Sequence, residues 1–110
     1  MEDFVNKYNA RKTEYNGNVY DSKKEAIFAQ ELDLKQRAGL IHGYNRQVPF
    51  EAVINGKKCF KYILDFEVLN KDDTVSYIDI KGYTKGPAYA MFRLKKKVID
   101  AIYGINIEVV

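Results

Sequence analysis

Alternation of apolar and polar side chains is clearest over residues 62–68, where Tyr62, Leu64, Phe66 and Val68 share one parity and Ile63, Asp65 and Glu67 the other. Successive strand residues point to opposite faces, so this reads as a strand with one buried face and Asp65 on the other. It lies within a strand expected over residues 59–69. A second follows over 75–83, after the turn-forming loop Asn70-Lys71-Asp72-Asp73-Thr74. Upstream, Val48, Phe50, Val53 and Ile54 mark a strand over 44–54, with Pro49 arguing for an edge or an irregularity. The Asn55-Gly56 pair turns it tightly into its neighbour, and Asn16-Gly17 predicts a type I′ hairpin between residues 13–15 and 18–20. A helical period takes over at 22–38, where Phe28, Ala29 and Leu32 form the stripe, Ser22 and Glu25 a capping box, and Gly39 the stop. Residues 82–86 read as a flexible loop; Pro87 then opens a helix to about Tyr103, ended by Gly104. The β-branched residues 105–110 make a last strand. The fold class is α/β: a mixed sheet with two helices and a small N-terminal hairpin, residues 1–12 forming a basic arm before one domain over 13–110.

Register turns this pattern into chemistry. A symmetric turn centred on Asp72 pairs Asn70 with Thr74, Glu67 with Tyr77, and Asp65 with Asp79. Opposed residues have Cβ atoms about 4.5–5.5 Å apart, so two carboxylates there repel unless a cation joins them. Lys81, two residues beyond Asp79, shares its face. Carboxylates and a lysine beside a hard metal suit phosphodiester hydrolysis, in which water must be activated and extra negative charge stabilised. Glu25 opens the helix stripe that should meet the sheet, where a charge needs a partner; capping Ser22 explains it as well. Asp65 on a solvated face, and Asp79 with Lys81 in an exposed cross-strand ion pair, are the plainer alternatives. The Asn55-Gly56 turn does not bring Gln47 onto the Asp65 face.

Composition narrows the choice without making it. The chain has 110 residues, 46% hydrophobic and 30% charged, enough for one core and too apolar for a disordered chain. With one cysteine, Cys59, and one histidine, His42, a Cys/His zinc site and a Ser-His-Asp triad have too few members or no recognisable setting. No glycine-rich phosphate loop is present, which argues against a nucleotide cofactor. The lone cysteine, with no signal-like segment and no long apolar run, suggests a cytoplasmic protein and no membrane. Net charge is only +3, but Lys7, Arg11 and Lys12 cluster in the arm and Arg93, Lys95, Lys96 and Lys97 near the C-terminus. On charge alone, solvated faces are the plainer explanation of such clusters.

The order helix Glu25, strand Asp65, then Asp79-Ile80-Lys81 resembles the PD-(D/E)XK nuclease superfamily. More closely, the chain resembles a phage family of small proteins described as of unknown function or as Holliday-junction resolvase-like. The matching segments are residues 7–15, Tyr20 to Ala26, Gln47-Val48-Pro49-Phe50, Tyr62 to Phe66, Asp79 to Tyr83, and Phe92 to Lys97. One departure is Leu64, where the superfamily usually has proline before the first aspartate.

The resemblance implies an αβββαβ core and Mg²⁺- or Mn²⁺-dependent DNA cleavage. Asp65 and Asp79 would be metal ligands, Lys81 the catalytic lysine, and Glu25 a ligand or a group behind the ligands. In that setting Lys7, Arg11, Lys12, Lys85, Arg93, Lys96 and Lys97 become candidates for DNA phosphates. Tyr83 and Lys85 follow the catalytic strand closely enough to meet substrate. A junction resolvase cuts twice, so a C₂ homodimer is expected, with an aromatic patch or the last strand as its interface. The alternatives are a nuclease for other duplex or flapped DNA, and a non-catalytic DNA-binding or replication-partner protein on the same fold.

Overall fold

In a computed structural model of the chain, residues 3–5, 11–82 and 84–110 are described. Three short strands, β1 (Asp3–Val5), β2 (Arg11–Tyr15) and β3 (Asn18–Tyr20), form an antiparallel sheet in that order. Asn16 and Gly17 both have positive φ, 51° and 81°, as the expected I′ turn requires. The residues expected to be a loose arm contribute β1, which pairs with β2 from Asp3↔Thr13 to Val5↔Arg11.

Helix α1 (Lys23–Arg37) follows, and then the main sheet: β4 (Ile41–Ile54), β5 (Lys57–Asn70), β6 (Val75–Asp79) and, after helix α2 (Pro87–Tyr103), β7 (Ile107–Val109). Strand order equals chain order, antiparallel except for the parallel β6–β7 pair. This is the mixed α/β architecture the pattern predicts. β4 begins three residues before the expected 44, and β6 stops at Asp79 instead of Tyr83. Backbone bonds still tie the end of β6 to the chain terminus, from Val110 N–H to Asp79 C=O (2.9 Å) and from Lys81 N–H to Val110 C=O (3.0 Å).

The predicted alternation in β5 holds: Tyr62, Leu64, Phe66 and Val68 are buried, while Ile63 is exposed and Asp65 and Glu67 are half-buried. Two clusters divide the core. α1 sets Ala26, Ala29 and Leu32 against Phe66, Val68, Ile78 and Ile80, with Tyr20 of β3 closing the group. The small side chains of Ala26 and Ala29 let the helix lie close to the sheet, which carries Glu25 toward β5 and β6. α2 contributes Ile99 to a second cluster with Leu64, Ala52 and Ile107. Asp33 fastens the small sheet and β4 to α1, accepting from the Tyr15 hydroxyl at 2.6 Å and the Tyr44 hydroxyl at 2.7 Å.

Candidate active site

The β5–β6 turn sets the register. Asn70 N–H donates to Thr74 C=O (2.8 Å), and Asp73 N–H to Asn70 C=O (3.1 Å) with Asp73 at φ 69°. The Asp72 carboxylate accepts from the Thr74 hydroxyl (2.6 Å) and backbone N–H (3.1 Å), bonds that hold its proton affinity below the usual range. From this turn the ladder runs Leu69↔Val75, Val68↔Ser76, Glu67↔Tyr77, Phe66↔Ile78. The paired ladder ends at Phe66↔Ile78. One step further along each strand stand Asp65 and Asp79, which the symmetric turn sets opposite each other, and the Ile80 N–H donates to Asp65 Oδ2 at 2.8 Å. A carboxylate thus takes the place of a backbone carbonyl where the strands part.

Three carboxyl groups and one ammonium meet at that point. Asp65 lies within hydrogen-bonding reach of both Asp79 and Glu25. Burial first, and then the Asp79 carboxylate, push the Asp65 carboxyl up to about 9. Burial likewise raises Glu25, with the charges of Asp21 and Asp79 acting in the same direction. Asp79 is only 2% exposed. Its Oδ2 stands 3.0 Å from Lys81 Nζ in an ion pair without hydrogen-bond alignment, and among the described residues it has no aligned donor. A buried carboxylate oxygen held by an ion pair alone is only partly compensated.

Glu25 serves both duties considered for it. Its N–H donates to Ser22 Oγ (3.1 Å), and its Oε2 accepts from Asp21 N–H (3.2 Å), one residue before the usual capping-box partner. It is also buried at 6% exposure against Asp65. The two duties separate by mutation. Ser22→Ala should cost about 1 kcal/mol in denaturant unfolding, while Glu25→Gln should keep the bond to Asp21 and change the charge of the cluster alone.

Sequence reasoning missed two neighbours of the site and left a third open. The first is Tyr62, on the other face of β5 by alternation. Burial and then the Asp79 carboxylate raise the proton affinity of its hydroxyl, which is close to Asp79 but makes no aligned hydrogen bond. The second is Lys24, whose Nζ donates to the carbonyls of Lys81 and Val110 at 3.0 Å each, binding α1 to the end of β6. The third is Gln47. A register shift between Ala52 and Val53 moves β4 by one residue relative to the Asn55-Gly56 turn. Arg46 then faces Phe66 and Val48 faces Leu64, so Gln47 falls opposite Asp65, at a backbone φ of 54°. The expectation that it lies off that face is corrected by the bulge.

The basic candidates divide. Lys85, Arg93 and Lys97 are exposed, and Arg93 and Lys97 line a shallow groove with Ala90 and Leu94. Lys96 is committed elsewhere, because its Nζ is 2.6 Å from Asp100 Oδ2, with both side chains largely covered. Asp100 in turn accepts from Ile107 N–H (2.9 Å), so this pair fixes the start of β7. Lys12 is half-buried, Lys7 and Tyr83 lie outside the described residues, and only the backbone of Arg11 is described. Phe92 is half-buried against Tyr62 and Tyr89 and forms no open aromatic patch. His42 lies 3.4 Å from Asp73 at the β5–β6 turn.

Among the described residues, no three His, Cys, Asp or Glu side chains are arranged, as placed, to hold an ion by themselves. The oxygen-only donors Asp65 and Asp79 suit a hard divalent cation, because Mg²⁺ is ordinarily held by one or two carboxylates and completes its shell with water and phosphate. Asp79 Oδ2, paired with Lys81 but without an aligned hydrogen bond, is the atom that fits such an ion.

Fold and site together define a mixed α/β protein with a carboxylate–lysine cluster where two central strands part. Over residues 5–108 the chain matches the family described as "Protein of unknown function (DUF1064)", and it belongs to that family. No curated protein and no solved structure gives a match. Among the described residues no helix is long and apolar enough to cross a membrane.

Proposed function

We propose that the chain is a divalent-metal-dependent DNA endonuclease of PD-(D/E)XK type, acting on branched recombination intermediates. The observation that carries this reading is the convergence of Asp65, Asp79 and Lys81 just past the end of the β5–β6 ladder, with a buried Asp79 oxygen that faces the Lys81 ammonium without an aligned hydrogen bond. Asp65 and Asp79 would hold Mg²⁺ or Mn²⁺, with Glu25 behind them. When bound, the metal would polarise the scissile phosphate and lower the pKa of the attacking water.

The chain's own groups do the rest. Lys81, with 29% of its side chain exposed, is anchored on Asp79 yet reachable from solvent. It can orient a water and face the charge that develops on the phosphate. Asp65, held by the Ile80 N–H, keeps its carboxylate turned to the cluster. Exposed Lys85, Arg93 and Lys97 supply phosphate contacts that position the duplex without reading its sequence. Paired cuts across a junction require two such sites, so the working form in this reading is a C₂ homodimer. A cytoplasmic setting, where DNA and Mg²⁺ are both at hand, completes the proposal.

Labelled four-way junction, flap, single strand and duplex, each incubated with Mg²⁺ or Mn²⁺, test it. Paired symmetric nicks in the junction are expected. Equal cutting of plain duplex would reject the junction preference. No cutting of any DNA, with no metal-induced thermal shift, would reject the enzyme and leave a DNA-binding or replication-partner protein.

A further inference from the structure

Lys81 carries its ammonium on a flexible four-carbon stem, and its ion pair with Asp79 is close but undirected, 3.0 Å without hydrogen-bond alignment. An ion pair of that kind does not by itself fix where the ammonium sits. A second contact does: Lys81 Nζ lies 4.0 Å from the centroid of the Phe92 ring. A cation over an aromatic face is held by the ring's negative face, and more firmly where water is partly excluded. Phe92 belongs to the second turn of α2, beyond the 82–86 loop, so the chain leaves Lys81 and returns to cover it.

Phe92 is itself fixed. Its ring stacks on that of Tyr62, with centroids 6.2 Å apart and planes 28° from parallel. Tyr62 is 7% exposed, and its hydroxyl and Asp79 Oδ2 are both buried with no aligned partner. A tyrosine whose hydroxyl goes unbonded in the core gains nothing for folding over phenylalanine. The contacts run from Asp79 to Lys81, on to Phe92 and then to Tyr62, whose hydroxyl lies close to Asp79 without an aligned hydrogen bond.

We propose that Tyr62 and Phe92 are positioning residues of the site, an aromatic bracket that holds the Lys81 ammonium and the Asp79 carboxylate in their working arrangement. This inference rests on the nuclease reading above, and it goes beyond it by giving both roles to residues outside the carboxylate–lysine set.

The test uses the full chain and its Tyr62→Phe, Phe92→Leu and Phe92→Tyr variants. Single-turnover cleavage at saturating Mn²⁺, the Kd for the same DNA, and the melting temperature are measured for each. Tyr62→Phe should melt at the wild-type temperature or above it, and bind DNA within about twofold, because it removes only an unbonded hydroxyl. Its cleavage rate should fall about tenfold or more, because the hydroxyl lies close to Asp79 and its loss lets that carboxylate shift, and small displacements of a catalytic group are costly. Phe92→Leu should lower the rate similarly and abolish the upfield ring-current shift of the Lys81 ε-methylene protons, and Phe92→Tyr, which keeps the ring, should restore both. Rates within twofold of wild type for Tyr62→Phe and Phe92→Leu overturn the bracket and leave the nuclease standing. A Tyr62→Phe variant that melts well below wild type overturns it too, by assigning the hydroxyl to stability. A wild-type chain that neither binds Mn²⁺ nor cuts any DNA overturns both proposals.

Discussion

Asp79→Ala should abolish metal-dependent cleavage, lowering the rate by about 10³-fold or more, while the Kd for DNA stays close to wild type. Two losses combine in this one change. Asp79 is the more deeply buried of the two aspartates and bears the Oδ2 without an aligned hydrogen bond, so in the proposed site its removal takes away a metal donor. It is also the ion-pair partner of Lys81, which is left with its aromatic contact alone. DNA affinity should survive because the exposed cations Lys85, Arg93 and Lys97 are separate side chains. Asp79→Asn keeps the volume and should be equally inactive, which separates chemistry from packing. Single-turnover cleavage and filter or fluorescence binding decide the matter. A normally cutting Asp79→Ala protein would remove the proposed site altogether.

Metal-free protein should lose stability as the pH rises from about 5 to about 9, and Asp65→Asn should remove much of that loss. The sign follows from the raised proton affinity. Unfolded, Asp65 ionises near 3.9; folded, burial and then Asp79 push it up to about 9. Between those values the native state holds a proton that the unfolded chain has released. The contribution is therefore fully present below the unfolded value and lost as pH rises through the folded one. Glu25 is raised as well and adds a smaller slope of the same sign. At pH 8 Asp65→Asn should be more stable than wild type by on the order of 2 kcal/mol, because a partly solvated carboxylate feels only part of the full penalty. Adding Mg²⁺ at that pH should stabilise wild type and do much less for Asp65→Asn, since the ion takes the place of the proton. Denaturant unfolding at fixed pH, with chelator or with Mg²⁺, reads both effects. A flat wild-type profile would contradict the clustered carboxyl groups.

Much of the site was legible because its geometry is local. Alternation in β5 and a symmetric five-residue connection are enough to oppose Asp65 and Asp79, and both are written in residues 62–79. The place of Gln47 stayed open because a bulge at Ala52/Val53 intervenes between it and the turn used to count its register, and no residue type there announces it. Tyr62 escaped because strict alternation assigns it away from Asp65, whereas β5 and β6 part beyond Phe66↔Ile78 and its hydroxyl comes near Asp79. Lys96 is paired with Asp100, four residues on, a partner already visible in the sequence. The β1 strand was missed because three residues paired at a sheet edge leave little periodicity to read.

The exposed turn from Asn70 to Thr74 touches none of the site residues, yet it determines which of them meet. Asp65 lies five residues from Asn70, about 17 Å along an extended strand. Adding or removing one residue in the turn would let β6 slide past β5, and the two aspartates would no longer face each other. Surface loops of this kind are the usual places to tolerate length changes or to accept tags and reporters. If the chain is the proposed nuclease, the spacing of an outlying loop is itself a functional parameter, and a library of loop insertions should yield folded proteins whose cleavage fails at a distance.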